Sequence, residues 1–174
     1  TAGIAQQYAV TVLRHRVNKG YGASLKTGIR QAKYDLICIT DADGTYPNER
    51  IPELVNLLTE HHLDMVVGAR VGENVAIPLI RKPAKWALGR VANYVAAEPI
   101  PDLNSGLRVF KREVCLLFFN ILPNQFSFTS TITMAMLTNQ YQVVYVPINY
   151  YARVGKSKIR PIHDTLNFLR LVMR

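Results

Sequence analysis

Asp35-Leu36-Ile37-Cys38-Ile39-Thr40-Asp41-Ala42-Asp43-Gly44 (35–44) is the stretch on which the fold turns. Residues 35–40 carry a continuous apolar run suited to a strand buried on both faces, and the run stops at Asp41. A strand of that kind needs helices on either side, and the neighbouring segments supply them. Upstream, residues 10–13 alternate like a short strand and Asn18-Lys19-Gly20-Tyr21-Gly22 reads as a turn. Residues 23–33 then place Leu25, Ile29 and Ala32 at helical spacing. Downstream, 47–60 reads as a helix with Ile51, Leu54, Leu57 and Leu58 on one face, and 64–68 as a second buried strand. Strands alternating with helices at this pitch predict an α/β fold whose parallel sheet is covered on both sides.

Beyond Arg70 the pattern changes. Residues 77–97 form a long helix-like stretch in which basic residues are scattered among Leu79, Ile80, Trp86, Leu88, Val91 and Tyr94, as on a surface helix. A strand is expected at 107–110, helices at 113–119 and 127–138, and a strand at 142–151 broken at Pro147. The last stretch, 162–174, puts Leu166, Leu169 and Val172 or Met173 on one stripe with Arg170 and Arg174 off it. No repeat or linker interrupts the chain, and 174 residues that are 49% apolar suit one well-buried core, so a single domain over 1–174 is expected. Cys38 and Cys115 both lie in apolar runs and read as reduced core thiols of a cytosolic domain. The missing initial methionine and a final residue inside a helical pattern lead us to expect a fragment.

The formal net charge of +9 is clustered. Segment 78–97 holds Arg81, Lys82, Lys85 and Arg90 with no acid, and segment 151–174 holds six bases against Asp164 alone. The rest of the chain is balanced, so an anionic partner is expected at these two segments. A nucleic-acid-binding module is the non-enzymatic alternative, but the bases are not interleaved with stacking aromatics and no RNA- or DNA-binding motif occurs. No run approaches the roughly 18 apolar residues of a membrane span.

In an open parallel sheet, ligands bind beyond the carboxyl ends of the strands, and Asp41 and Asp43 stand at such an end. With one residue between them, both carboxylates can approach one ligand from a bent loop. Hard oxygen donors with positions left open suit Mg²⁺ or Mn²⁺ bound jointly with substrate phosphates. A solvated Asp-Gly turn is the plainer alternative. The glycine-rich turn at 18–22 lets backbone amides and a helix N-terminus approach an anion or a base, or is simply a turn.

Five motifs follow one another in order: Asn-Lys-Gly-Tyr-Gly-Ala-Ser-Leu-Lys-Thr-Gly-Ile (18–29), Asp-Ala-Asp-Gly-Thr-Tyr-Pro (41–47), Gly-Ala-Arg (68–70), Asp-Leu-Asn-Ser-Gly-Leu-Arg-Val-Phe (102–110) and Arg-Val-Gly-Lys-Ser-Lys (153–158). The succession resembles the family 2 glycosyltransferases, and among them the dolichyl- and undecaprenyl-phosphate sugar transferases. The resemblance covers nearly the whole chain. It implies a GT-A, Rossmann-like fold and a metal-dependent, inverting transfer from a nucleotide-diphosphate sugar, GDP-mannose or a UDP-sugar, to a polyprenyl phosphate.

Carried over residue by residue, the resemblance gives Asp43 the cation and Asp41 the nucleotide's ribose or diphosphate, with both counted as metal contacts. Thr45 occupies the place where the family often has a further metal-binding Gln. Asn18, Lys19, Gly20 and Gly22, with Asp41 and Ala42, fall on the donor nucleotide. Asp102, Ser105 and Arg108 match the family's Asp-x-x-Ser-Gly-x-Arg segment near the sugar and the acceptor phosphate, and Arg70 is a second phosphate ligand. Arg153, Lys156, Ser157 and Lys158 match a mobile acceptor-side loop, with Arg153 the first choice for a bidentate phosphate contact. The catalytic set is therefore Asp43, Asp102 and Arg153. Because a phosphomonoester with a second pKa of about 6 is largely dianionic at neutral pH, Asp102 orients groups rather than abstracting a proton.

The family's opening Pro-x-Tyr-Asn-Glu strand motif and following Asp-Gly-Ser loop are absent, and residues 1–5 look like the continuation just after that loop. The two basic segments are also the amphipathic ones, the combination expected of helices lying on an anionic membrane surface. The expected location is a peripheral domain at the cytoplasmic face of a membrane, with 160–174 as a juxtamembrane helix. A family 2 enzyme acting on a saccharide hydroxyl is the alternative activity. The oligomeric state is left open.

Overall fold

A computed structural model of the protein describes residues 2–71, 99–125 and 127–152. Its elements in chain order are α1 (Ala2–Ala5), α2 (Tyr21–Gln31), β1 (Leu36–Ile39), a 3-10 turn (Asn48–Arg50) and α3 (Ile51–Glu60). There follow β2 (Met65–Ala69), β3 (Arg108–Lys111), α4 (Arg112–Leu117), α5 (Phe128–Thr138) and β4 (Val143–Pro147). Among the described residues four strands make one sheet in the order β1-β3-β2-β4.

The α/β class is as expected, and helices cover both faces of the sheet. On one face Ile29 of α2, Val114 and Cys115 of α4, and Phe128, Ile132 and Met136 of α5 pack on Ile37, Ile39, Met65, Val67 and Phe110. On the other, Leu54 and Leu58 of α3 pack on Val66, Leu107, Val109 and Ile148. Alternate residues of β2 thus enter opposite clusters, and all five of its residues are buried, as its unbroken apolar run predicts.

The sheet is mixed rather than mostly parallel. β2 pairs with β4 in parallel, from Met65 opposite Val143 to Ala69 opposite Pro147, while β3 runs antiparallel to both β1 and β2. Helical alternation forces parallel neighbours only where one short helix joins two strands. β3 instead re-enters the sheet from a turn that already sits at the carboxyl ends of its neighbours: the Ser105 hydroxyl donates to Gly68 O at 2.5 Å. A strand leaving that turn has to run back against β1 and β2.

Two further expectations fail locally. Residues 10–13 form no strand, and Val10 and Leu13 are exposed; four alternating residues do not hold a strand without a neighbour to pair with. Cys38 is exposed while Cys115 is buried. Among the described residues β1 lies at the edge of the sheet, with Ile37 and Ile39 facing the core and Cys38 facing away, so its run is buried on one face only. The amphipathic segment 77–97 and residues 153–174 lie outside the described residues.

The turn before α2 is glycine-rich for a packing reason. Gly22 N–H donates to Gln125 O at 3.2 Å and Ala23 N–H to Asn124 O at 2.9 Å, which brings residues 123–125 across the start of the helix. A Cβ on Gly22 would overlap the Pro123 carbonyl oxygen and lie 2.9 Å from Gln125 O. Backbone on both sides leaves little room to yield. Gly22→Ala is expected to destabilise the domain by about 1–3 kcal/mol, read as a lower urea midpoint at unchanged slope.

Candidate active site

β1 and β2 both run opposite to β3, and β4 runs with β2, so the carboxyl ends of these three strands share one edge of the sheet. Asp41 and Asp43 follow β1, Arg70 follows β2, residues 148–151 follow β4, and the turn at 102–107 leads into β3 from the same side. Four chain segments distant in sequence therefore meet where an open α/β sheet binds its ligands.

Asp41 and Asp43 are partly exposed, and Ala42 between them is exposed. The Asp43 Oδ1 accepts hydrogen bonds from Thr45 N at 3.2 Å and from the Thr45 hydroxyl at 2.6 Å. This local turn holds the carboxylate in one orientation. Thr45 is buried, and its hydroxyl donates to Asp43 while retaining acceptor capacity. The Asp41 carboxylate lies against Gly106, where an added Cβ would stand 3.0 Å from Oδ2 and 3.2 Å from Cγ. Glycine at 106 is what lets the acidic turn and the 102–107 turn come together. Two hard carboxylates on one short turn, one held by Thr45, fit a divalent cation that shares its coordination sphere with phosphate oxygens. Among the described residues no group of three or more His, Cys, Asp or Glu offers an all-protein cage.

Asp102 is 1% exposed and pairs with Arg70. Arg70 Nε and Nη2 donate to Asp102 Oδ2 and Oδ1 at 2.6 and 2.8 Å, and Arg70 N and Asn104 N donate to the same carboxylate. Burial opposes the Arg70 charge, yet the hydrogen bonds and charge of Asp102 raise its pKa above the ordinary arginine value. The Arg70 guanidinium carbon also stands 5.2 Å from the centroid of the Tyr150 ring.

Ser105 and Arg108 sit deeper than the sequence suggested. Both are 0% exposed. Arg108 Nε donates to Ser105 O at 3.1 Å, Nη2 donates to the same oxygen, and Nη1 donates to Thr129 O at 3.0 Å and the Thr133 hydroxyl at 2.8 Å. Period-two alternation puts residue 108 on the same face of β3 as Phe110, under α5, which a linear motif does not reveal. Burial lowers the Arg108 pKa, opposed chiefly by Tyr21 and Tyr145. Here Arg108 ties the 102–107 turn to α5. Truncation in Arg108→Ala would leave a cavity and orphaned acceptors, and is expected to cost about 3–5 kcal/mol, measurable by chemical denaturation.

Asn18 and Lys19 are exposed, and Asn18 Oδ1 accepts the Gly20 N–H at 2.9 Å. With His15, Arg16, Ser24 and Thr27 they line an open cleft of about 210 Å³ that Asp41, Ala42 and Asp43 do not line. The Gly22 and Ala23 amides near the start of α2, expected to face an anion or a base, donate instead to the Gln125 and Asn124 carbonyls. Arg153, Lys156, Ser157 and Lys158 lie outside the described residues.

Tyr46, inside the 41–47 motif but given no role there, and Tyr150 are further residues of this edge. Tyr46 is 5% exposed, its hydroxyl accepts the Gly106 N–H at 2.6 Å, and its ring meets Tyr150 edge-to-face at 5.1 Å. An aromatic residue inside an otherwise polar acidic turn is the only hint in the sequence.

The sequence model of glycosyl transferase family 2 matches residues 1–117. A dolichyl-phosphate hexose transferase of Haloferax volcanii is 25% identical over 162 residues, covering 92% of this chain and 69% of that protein. An undecaprenyl-phosphate mannosyltransferase of Micrococcus luteus is 26% identical over 164 residues, covering 89% and 67%. Among solved structures, glucosyl-3-phosphoglycerate synthase from Mycobacterium tuberculosis, in complex with Mn²⁺, UDP-glucose and phosphoglyceric acid, superposes with a TM-score of 0.63 at 16% identity. That match covers 91% of this chain and 55% of the synthase, so the chain spans about half the length of the solved protein.

Proposed function

This chain belongs to glycosyl transferase family 2, and on that premise we propose that it transfers a hexose from a nucleotide-diphosphate sugar to a polyprenyl phosphate with inversion. The named relatives act on dolichyl and undecaprenyl phosphates, which supports a phosphate acceptor. The observation that carries this choice is the state of Asp102. A saccharide hydroxyl needs a base to take its proton, and Asp102, the carboxylate that the resemblance puts nearest the acceptor, is buried and bonded through both oxygens to Arg70. A phosphate dianion needs no such base.

In this reading Asp41 and Asp43 hold Mg²⁺ or Mn²⁺, with Thr45 fixing Asp43 and available as a further contact. When bound, the cation supplies Lewis-acid charge that makes the departing nucleoside diphosphate a better leaving group. The solved synthase with Mn²⁺ and UDP-glucose supports this use of a divalent metal. Asp102 fixes Arg70 beside the acidic turn, where its positive charge favours the approach of phosphates. Arg108 and Ser105 hold the turn that carries Asp102, a positioning role in place of direct phosphate contact. Asn18, Lys19, Gly20 and Gly22 remain donor-side candidates with Asp41 and Ala42, and Arg153, Lys156 and Ser157 acceptor-side ones.

No helix among the described residues is long and apolar enough to cross a membrane. The basic segments 78–97 and 151–174 supply the attraction to an anionic surface, at about 1 kcal/mol for each base close to it. Peripheral attachment at the cytoplasmic face, through 160–174, belongs to the same proposal, as does a single catalytic domain over 1–174. A direct comparison tests the acceptor class: the complete protein is given a labelled sugar donor with either a polyprenyl phosphate or the same polyprenol lacking phosphate. Label is expected in the lipid product only with the phosphate. Equal transfer to the free alcohol, or to a saccharide, would overturn this reading.

A further inference from the structure

We infer that Tyr46 is a positioning residue that registers the acidic turn against the 102–107 turn and thereby sets how tightly Asp41 and Asp43 bind a divalent cation. The inference rests on the proposal that these two carboxylates hold the cation.

Contacts from two other segments converge on residues 45 and 46. Tyr151 N–H donates to Thr45 O at 2.9 Å, the Tyr150 ring stands 5.1 Å from that of Tyr46, and Gly106 N–H donates to the Tyr46 hydroxyl at 2.6 Å. The last joins the acidic turn to the turn that backs the Asp41 carboxylate, and the Ser105 side chain of that turn also bonds to Tyr46. Gly106 is the residue on both sides of the link: its N–H meets Tyr46, and the site of its missing Cβ lies 3.0 Å from Asp41 Oδ2. A shift of the 106 backbone therefore moves against a metal ligand directly.

The chemistry explains why a tyrosine stands there. A ring 5% exposed belongs to the cluster with Leu54, Val66 and Ile148, where phenylalanine would fill the same space. The added hydroxyl has to find a partner when buried, and it finds the one backbone N–H that adjoins Asp41. Groups that hold metal-binding carboxylates in place tune the affinity of the site even though they do not touch the ion.

The test is a Mn²⁺ titration of the complete protein, with free Mn²⁺ read by its paramagnetic resonance signal and a thermal melt recorded for each variant. Asp43→Ala is expected to abolish specific binding. Tyr46→Phe is expected to weaken it by about 10-fold, at temperatures where the melt shows the variant fully folded. An affinity unchanged in folded Tyr46→Phe, while Asp43→Ala has lost binding, would overturn the inference and leave the cation site standing. Wild-type affinity in Asp43→Ala would overturn the cation site and this inference with it. Should Tyr46→Phe fail to fold, Gly106→Ala decides from the other side of the contact. Its Cβ presses on Asp41 Oδ2, so the same order of loss is expected, and unchanged affinity would overturn the coupling.

Discussion

In the complete protein, Asp43→Ala is expected to lower divalent-cation-dependent sugar transfer by about 10³-fold, since the loss of about 4 kcal/mol of charge stabilisation at the leaving diphosphate is a thousandfold in rate. The fold should survive. Asp43 is partly exposed, and the partners shown for its side chain are the amide and hydroxyl of Thr45 two residues away. Its removal opens no core cavity, so the melting temperature should move by only a few degrees, on the order of the 1 kcal/mol typical of a lost turn hydrogen bond. Initial rates over a range of Mn²⁺ concentrations, read beside a thermal melt, check both halves. A variant that keeps its turnover removes Asp43 from the reaction.

Asp102→Ala should fail in a different way. Its carboxylate is 0% exposed and its partner Arg70 only 15% exposed at the side chain, so truncation strands a largely buried guanidinium. Breaking a buried pair from one side costs about 3–5 kcal/mol, a large part of the stability of a domain this size. Chemical denaturation should show the loss directly. The paired replacement Arg70→Met with Asp102→Leu should recover much of that stability, because no charge is left without a counterpart. Activity should not return with it, since the cation beside the acidic turn is gone. Full stability in Asp102→Ala would contradict a structural ion pair at this edge.

The elements that could be read from sequence are those whose pattern is local. Ile51, Leu54 and Leu58 placed α3, and the unbroken run at 64–68 placed β2 to within a residue. The place of Asp41 just after a strand was legible because the apolar run of β1 stops there. What stayed hidden depends on contacts between distant segments. The direction of β3 follows from where the 102–107 turn lies against Gly68 and Asp41, and no periodicity encodes that. Arg108 reads as a ligand in a linear motif because burial is a property of the whole sheet. The packing reason for Gly22 lies in residues 123–125, which lie across the start of α2 and are about a hundred residues away in sequence. Cys38 shares an apolar run with Ile37 and Ile39, and only the edge position of β1 separates them. Tyr46 gave the weakest signal, since its partner is a backbone amide 60 residues further on.

Cation-dependent transfer of sugar onto a lipid phosphate would leave label in a lipid product. The complete protein is incubated with a short polyprenyl phosphate and radiolabelled GDP-mannose or UDP-hexose, with Mn²⁺ or with excess chelator, and label is counted in the organic phase. Incorporation from at least one donor with Mn²⁺, abolished by chelator, is the predicted result. Lipid-extractable label that persists in chelator, or none from any donor with Mn²⁺ present, would contradict it.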